Sequence, residues 1–170
     1  GTGNQSPISV KTGLFISKYL CRHKGIRYVS PFLNKTILES NDRHFEVPDM
    51  KNRWISRDPR TVRKYNEDPL CTFRFTAGGF RDLLTMIKRL EDGEDFDRIP
   101  KDLPVIFLSG KDDPIGDFGK GVEKARDGLR KAGLDPGMKL YEGARHEVLN
   151  ETNREEVYDD IAEWVEERIP

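Results

Sequence analysis

The strongest constraint on this chain is an alternation that runs through its second half. Leu103-Pro104-Val105-Ile106-Phe107-Leu108 is a short, unbroken apolar run that stops at Ser109-Gly110. A run of that length between turn residues predicts a strand covered on both faces, as in a parallel sheet. Phe118, Val122, Ala125, Leu129 and Ala132 then mark a helix, which Gly133 closes as a C-terminal cap. Met138-Lys139-Leu140-Tyr141 alternates and predicts a second strand. Thr152 and Glu155 have capping-box spacing. They open a last helix with Val157, Ile161, Trp164, Val165 and Ile169 on one side. Strand, helix, strand, helix calls for parallel strands with helices covering the sheet, so the fold class is α/β. Two strands are few for an open sheet of this kind. This half reads as the edge of something larger.

The chain upstream has another character. Residues 1–75 are irregular and rich in turn residues. Ile8, Leu14, Phe15, Tyr19 and Leu20 predict one helix, and Phe32, Leu33, Ile37 and Leu38 a second, short one. The stretch from Asn41 to Pro69 holds Pro48, Pro59 and Pro69 among many charges. Because proline breaks helices and restricts its predecessor, that stretch predicts loops with one helical turn. From Thr76 the periodicity becomes clear: Phe80, Leu83, Leu84, Ile87 and Leu90 fall on one helical face, and Asp92-Gly93 ends the helix. The division therefore falls between residues 1–75 and 76–170.

Charge and composition exclude several classes. Lys and Arg number 29 and Asp and Glu 30, a net charge of −1. That balance gives no electrostatic reason to expect nucleic acid or an anionic membrane as partner. No run approaches the ~18 apolar residues of a membrane span, so no stable membrane insertion is expected, and no signal peptide opens the chain. A cytoplasmic protein is the expectation. The chain begins Gly1-Thr2-Gly3, without an initiator Met. Cys21 and Cys71 do not make a disulfide framework. Cys21 and His23 are two ligands where zinc needs about three or four. Gly116, Gly119 and Gly121 stand in the wrong order for a dinucleotide fingerprint, and no phosphate loop is present. Neither a metal nor an organic cofactor is expected. His23 and His44 read as solvated residues, and Cys71 as a small buried hydrophobe.

Ligands of open α/β sheets bind beyond the carboxyl ends of the strands. There this chain places Gly110-Lys111-Asp112-Asp113-Pro114-Ile115-Gly116 after the first predicted strand. After the second comes Tyr141-Glu142-Gly143-Ala144-Arg145-His146-Glu147. An Asp and a His thus share one sheet edge. A carboxylate that accepts the Nδ1 proton of a histidine fixes its tautomer and leaves Nε2 as a general base. Taken singly, an Asp here also serves as a helix cap or turn acceptor, and a His as a surface residue.

The two loops resemble the acid loop and the histidine loop of α/β-hydrolases in the monoacylglycerol lipase, lysophospholipase and serine aminopeptidase branch. Trp54-Ile55-Ser56-Arg57-Asp58 and Asp68-Pro69-Leu70-Cys71, followed by Phe73, Phe75 and Thr76, resemble the cap region of the bacterial lysophospholipase-like members. Gly1-Thr2-Gly3 resembles the segment just after the strand that follows the nucleophile helix. The resemblance implies the C-terminal portion of an α/β-hydrolase fold, a helical cap over 1–75 followed by core over 76–170. It implies Asp113, three residues after Gly110 and ahead of its neighbour Asp112, as triad acid and His146 as triad base. It also implies a carboxylic ester as substrate: a monoacylglycerol, a lysophospholipid or another small acyl ester. Phe15, Phe32, Phe73 and Phe75 are candidates for an acyl pocket or, equally, ordinary cap core.

The family's nucleophile stands in G-x-S-x-G. None of Ser6, Ser9, Ser17, Ser30, Ser40, Ser56 and Ser109 has glycines two before and two after. The expectation is a piece of a serine hydrolase whose nucleophile lies outside this chain, with the missing N-terminal half of the hydrolase as its partner. The rival expectation is an acyl-binding or protein-interaction module without catalysis.

Overall fold

A computed structural model of the chain describes residues 6–46 and 49–169. Gly1-Thr2-Gly3 and Pro48 lie outside them. Helix α1 (Pro7–Lys24) opens with Pro7 in its first turn and is followed by α2 (Pro31–Ile37), where Ser30 accepts the amide proton of Leu33 as N-cap. A 3-10 turn covers Glu39–His44.

The stretch expected to be loop contains a further helix, α3 (Pro59–Glu67). Pro59 starts this helix rather than breaking it. At the first helical position the missing N–H is not needed, and the fixed φ suits the helix. Asp58 caps it by accepting from Arg60 N at 2.9 Å. The Arg60 guanidinium, and after it that backbone contact, hold the Asp58 carboxyl below its ordinary range.

Helix α4 (Ala77–Glu91) lies along α1. Val10, Leu14 and Leu84 form a buried cluster there, with Ile37 and Ile87 against it. The helices are close enough that a Cβ on Gly13 would meet Leu84 Cδ1 at 3.0 Å. Leu90, on the expected apolar face, is exposed. The start of α4 is tied down by Ala77 N donating to Tyr28 O (2.7 Å) and Gly78 N to Ile26 O (2.9 Å).

The second half has the expected alternation: β1 (Ile106–Gly110), α5 (Lys120–Lys131), β2 (Gly137–Tyr141) and α6 (Arg154–Glu166). The strands are parallel, with Ile106 opposite Gly137 and Gly110 opposite Tyr141. Gly133 takes φ +90°, and Leu134 N reaches back to Leu129 O, closing α5 with the left-handed glycine cap expected from its position.

Four local expectations need correction. The apolar run is half-buried rather than sealed on both faces, because each strand has one neighbour among the described residues. Its first residue, Leu103, is exposed. Phe118 lies before α5, in a turn at φ +54°. The Thr152–Glu155 capping box does not form. Asn153 is the N-cap residue and its side chain donates to Glu156 instead. Ile169 lies past the end of α6 and is exposed.

Helix α6 is held to β2 by Tyr141, Ala144 and Val157, with Leu108, Val148 and Ile161 packed around them. A polar tie runs beside this cluster. Tyr141 Oη donates to Asp160 Oδ2 at 2.7 Å, and Lys139 Nζ stands 2.6 Å from the same oxygen. Those two donors, Lys139 first, hold the Asp160 carboxyl below its ordinary range, while burial raises the Tyr141 phenol. A depressed carboxylate adds stability above its unfolded pKa near ~4 and loses it as pH falls through the folded value. Asp160→Asn should therefore lower stability by about 1–2 kcal/mol at pH 7 and by less at pH 3. Urea unfolding at both pH values checks this, and an equal loss at both would contradict it.

Candidate active site

Because the register ends Gly110 level with Tyr141, the two loops leave the sheet side by side. They continue to pair beyond it. Lys111 N donates to Tyr141 O and Asp112 N to Ala144 O, each at 2.9 Å. Lys111 and Glu142 close an exposed ion pair across the gap. The approach of the loops is tight, and Gly110 makes it possible. A Cβ there would lie 2.2 Å from the carbonyl oxygens of both Ala144 and Arg145.

The acid loop turns back on itself after this contact. Asp113 O accepts from Phe118 N at 2.9 Å, and Asp117, Phe118 and Gly119 all take positive φ. This fold inserts the Asp113 side chain beneath the loop, where it is fully buried. Its Oδ1 accepts from Ile115 N at 2.8 Å and its Oδ2 lies 3.0 Å from His146 Nδ1. An ionised carboxylate only accepts, so opposite one Nδ1 is the donor, and in a neutral imidazole of that tautomer Nε2 keeps its lone pair. The imidazole is 22% exposed. Asp112, the other acid of the pair, is exposed, and its backbone N donates to Ala144 O of the histidine loop.

A segment from residues 53–58 encloses the other side of the histidine. The Trp54 ring packs on the imidazole with centroids 5.0 Å apart. Trp54 O accepts from His146 N at 3.3 Å, and Ile55 O from Glu147 N at 2.9 Å. Arg145 donates from Nη1 to Arg53 O and Ser56 O, and its guanidinium lies 3.9 Å from the Phe45 ring centroid. Burial pulls its pKa below the ordinary arginine value.

One further acidic residue belongs to this arrangement, and sequence reasoning missed it. Glu151 is completely buried. It accepts from the backbone of Arg57 and Arg145, from the Arg57 side chain and from Thr152 N, all between 2.9 and 3.2 Å. In sequence it is one Glu in a strongly acidic segment. Its burial depends on Arg57, 94 residues away, so no local pattern announces it.

The remaining candidates lie apart. His23 sits exposed at the end of α1, beside Tyr19. His44 is exposed and faces Phe118 edge-on. Cys21 and Cys71 are half-buried and unbridged. Burial, with Asp68 adding to it, raises the Cys71 thiol, which opposes thiolate chemistry at neutral pH. Phe15, Phe32 and Phe73 are exposed, and Phe75 packs on Phe80. A cavity of about 360 Å³ beside the acid loop is lined by Pro7, Pro114, Asp117 and Lys120 among others, and by none of these four aromatic residues. No serine side chain is hydrogen-bonded to His146 among the described residues. No cluster of three or more potential metal ligands occurs among them, and no helix there is long and apolar enough to cross a membrane.

Known proteins resemble this chain in sequence and in fold. The model of a hydrolase family described as serine aminopeptidase, S33, matches residues 14–153. An abhydrolase domain-containing protein of Dictyostelium discoideum is 31% identical over 116 residues, 68% of this chain and 12% of that protein. A monoglyceride lipase homolog of Monkeypox virus is 30% identical over 118 residues, 68% of this chain and 40% of that protein. Among solved structures, a thermostable carboxyl esterase from Bacillus coagulans in complex with glycerol superposes with a TM-score of 0.82 at 25% identity. The match covers 97% of this chain and 54% of the esterase. The chain therefore spans less than half the length of these two sequence relatives and about half of the esterase.

Proposed function

The chain belongs to the serine aminopeptidase S33 family and has a partial α/β-hydrolase fold, and from that premise we propose that it supplies the acid and base of a carboxylic ester hydrolase. The observation that carries this reading is the 3.0 Å contact between the fully buried Asp113 and the partly exposed His146. It stands at the level carboxyl ends of two parallel strands, where ligands of such sheets bind. In this reading the nucleophilic serine comes from outside these 170 residues, and residues 1–75 act as the cap.

The chemistry is acyl transfer. His146 Nε2 removes the proton of the serine hydroxyl as its oxygen attacks the ester carbonyl. The imidazolium that results is stabilised by Asp113 and returns the proton to the departing alcohol oxygen. A water then takes the serine's place: its proton goes to Nε2, its oxygen attacks the acyl-serine, and the proton returns to the serine. Backbone N–H groups supplied with the serine would hold the oxyanion. The substrate class we propose is a monoacylglycerol, a lysophospholipid or another small acyl ester. The monoglyceride lipase homolog and the glycerol-bound esterase support a small ester of that kind.

The 170 residues alone should hydrolyse neither a p-nitrophenyl ester nor a monoacylglycerol above the rate of buffer. A protein in which this chain is joined to a segment carrying G-x-S-x-G should hydrolyse both, and His146→Ala should abolish that activity. Turnover by the isolated chain would refute the external nucleophile. Near-normal turnover by the His146→Ala protein would refute the proton-transfer role.

A further inference from the structure

We propose that Glu151 is a positioning residue for His146, a role that rests on the acid–base reading of Asp113 and His146. The carboxylate does not touch the imidazole. It holds the backbone on both sides of it. Oε1 accepts from Arg145 N, the amide immediately before His146, and from Arg57 N, each at 2.9 Å. Oε2 accepts from Arg57 Nε at 3.0 Å and from Thr152 N at 3.2 Å. One buried group thereby joins the histidine loop to the 53–58 segment, whose Trp54 ring lies tilted beside the imidazole and whose Trp54 O accepts from His146 N.

The placement has a physical consequence. The orientation of the imidazole is set by three contacts: Asp113 at Nδ1, Trp54 on the ring and Trp54 O on the backbone. Two of the three come from the 53–58 segment. That segment is clamped to the histidine loop by Glu151 and by the Arg145 side chain on Arg53 O and Ser56 O. Arg57 adds a further tie through Nη2 to Asn153 Oδ1 at 2.7 Å. A glutamine at 151 keeps one acceptor oxygen and turns an NH2 group towards Arg57 Nε or Thr152 N, where donor would face donor. The clamp then loosens and the Nδ1 contact loses its fixed geometry, while Asp113 itself is untouched.

The test is the low-field proton resonance of His146 Nδ1 in the 170-residue chain, with histidine labelled in the ring nitrogens. Only three histidines are present, so the signal is identified by its loss in His146→Ala. The Glu151→Gln chain should show that proton exchanging with solvent on the order of tenfold faster, the scale of one lost hydrogen bond. Urea midpoints are recorded in parallel, because a role confined to stability lowers the midpoint and leaves the resonance of the folded chain unchanged. That outcome overturns the positioning role and leaves the acid–base reading standing. Absence of the proton in the parent chain overturns both. Should Glu151→Gln not fold, Arg57→Ala keeps the Arg57 backbone donor and removes only the side-chain bonds. It should shift the exchange in the same direction by a smaller factor, and no shift in that variant overturns the proposal.

Discussion

Asp113→Asn is expected to lower kcat for ester hydrolysis by about 10⁴-fold, with KM nearly unchanged, in a protein that unites this chain with the serine proposed for it. The size of the effect follows from which proton is misplaced. Asp113 Oδ1 is engaged by Ile115 N at 2.8 Å and Oδ2 by His146 Nδ1 at 3.0 Å. In the asparagine variant Ile115 N still needs an acceptor, so the amide oxygen stays on that side. The amide NH2 then faces Nδ1 and can only donate to it. Nδ1 becomes the acceptor, the proton moves to Nε2, and the atom that should take the serine proton already carries one. Nothing else at the site is displaced, since the amide is isosteric with the carboxylate and the pocket is closed. A charge is also removed from the position that stabilises the imidazolium. Kinetics on a p-nitrophenyl ester measure the effect. A kcat within tenfold of the parent would mean that the 3.0 Å contact has no part in proton transfer.

What the sequence made legible and what it hid divide along a physical line. Asp113 and His146 were reachable because each follows a strand whose end is visible as the end of an apolar or alternating run. Parallel strands of equal length then bring their loops to one edge. Helices α1, α2 and α4 were likewise visible as repeats of apolar residues. Helix α3 was hidden because Pro59 carries opposite meanings inside a helix and at its start, and only the Asp58 cap tells them apart. Glu151 and Trp54 were hidden for a different reason. Their roles arise from contacts between segments about 90 residues apart, and a single charged or aromatic side chain has no periodicity to betray it. The three exposed phenylalanines show the converse. Apolar character alone did not say whether a cap residue faces a core, a ligand or solvent.

Gly110→Ala should be the most damaging one-carbon change in the α/β half, lowering stability by more than about 3 kcal/mol. In the sequence this glycine marks the end of an apolar run and the start of the acid loop. In the structure it is the point where the acid loop and the histidine loop touch. The added Cβ would lie 2.2 Å from Ala144 O, 2.2 Å from Arg145 O and 2.5 Å from Ala144 C. All three are backbone atoms, so no rotamer change relieves the overlap, and the loops must separate by an ångström or more. Ala144 O accepts from Asp112 N, so that bond is lost first. The same displacement draws His146 away from Asp113, because each lies within three residues of the overlap. Gly137, at the other end of the same ladder, is the control. A Cβ there would come no closer than 3.7 Å to any neighbour, so Gly137→Ala should change stability by less than about 0.5 kcal/mol. Urea unfolding of the two variants compares them directly. The His146 Nδ1 resonance should vanish in Gly110→Ala and persist in Gly137→Ala. Equal midpoints would show that the close approach at Gly110 is not what holds the two loops in register. A lost midpoint with an intact resonance would show that the Asp113–His146 contact survives without that approach, held from the Glu151 and Trp54 side alone.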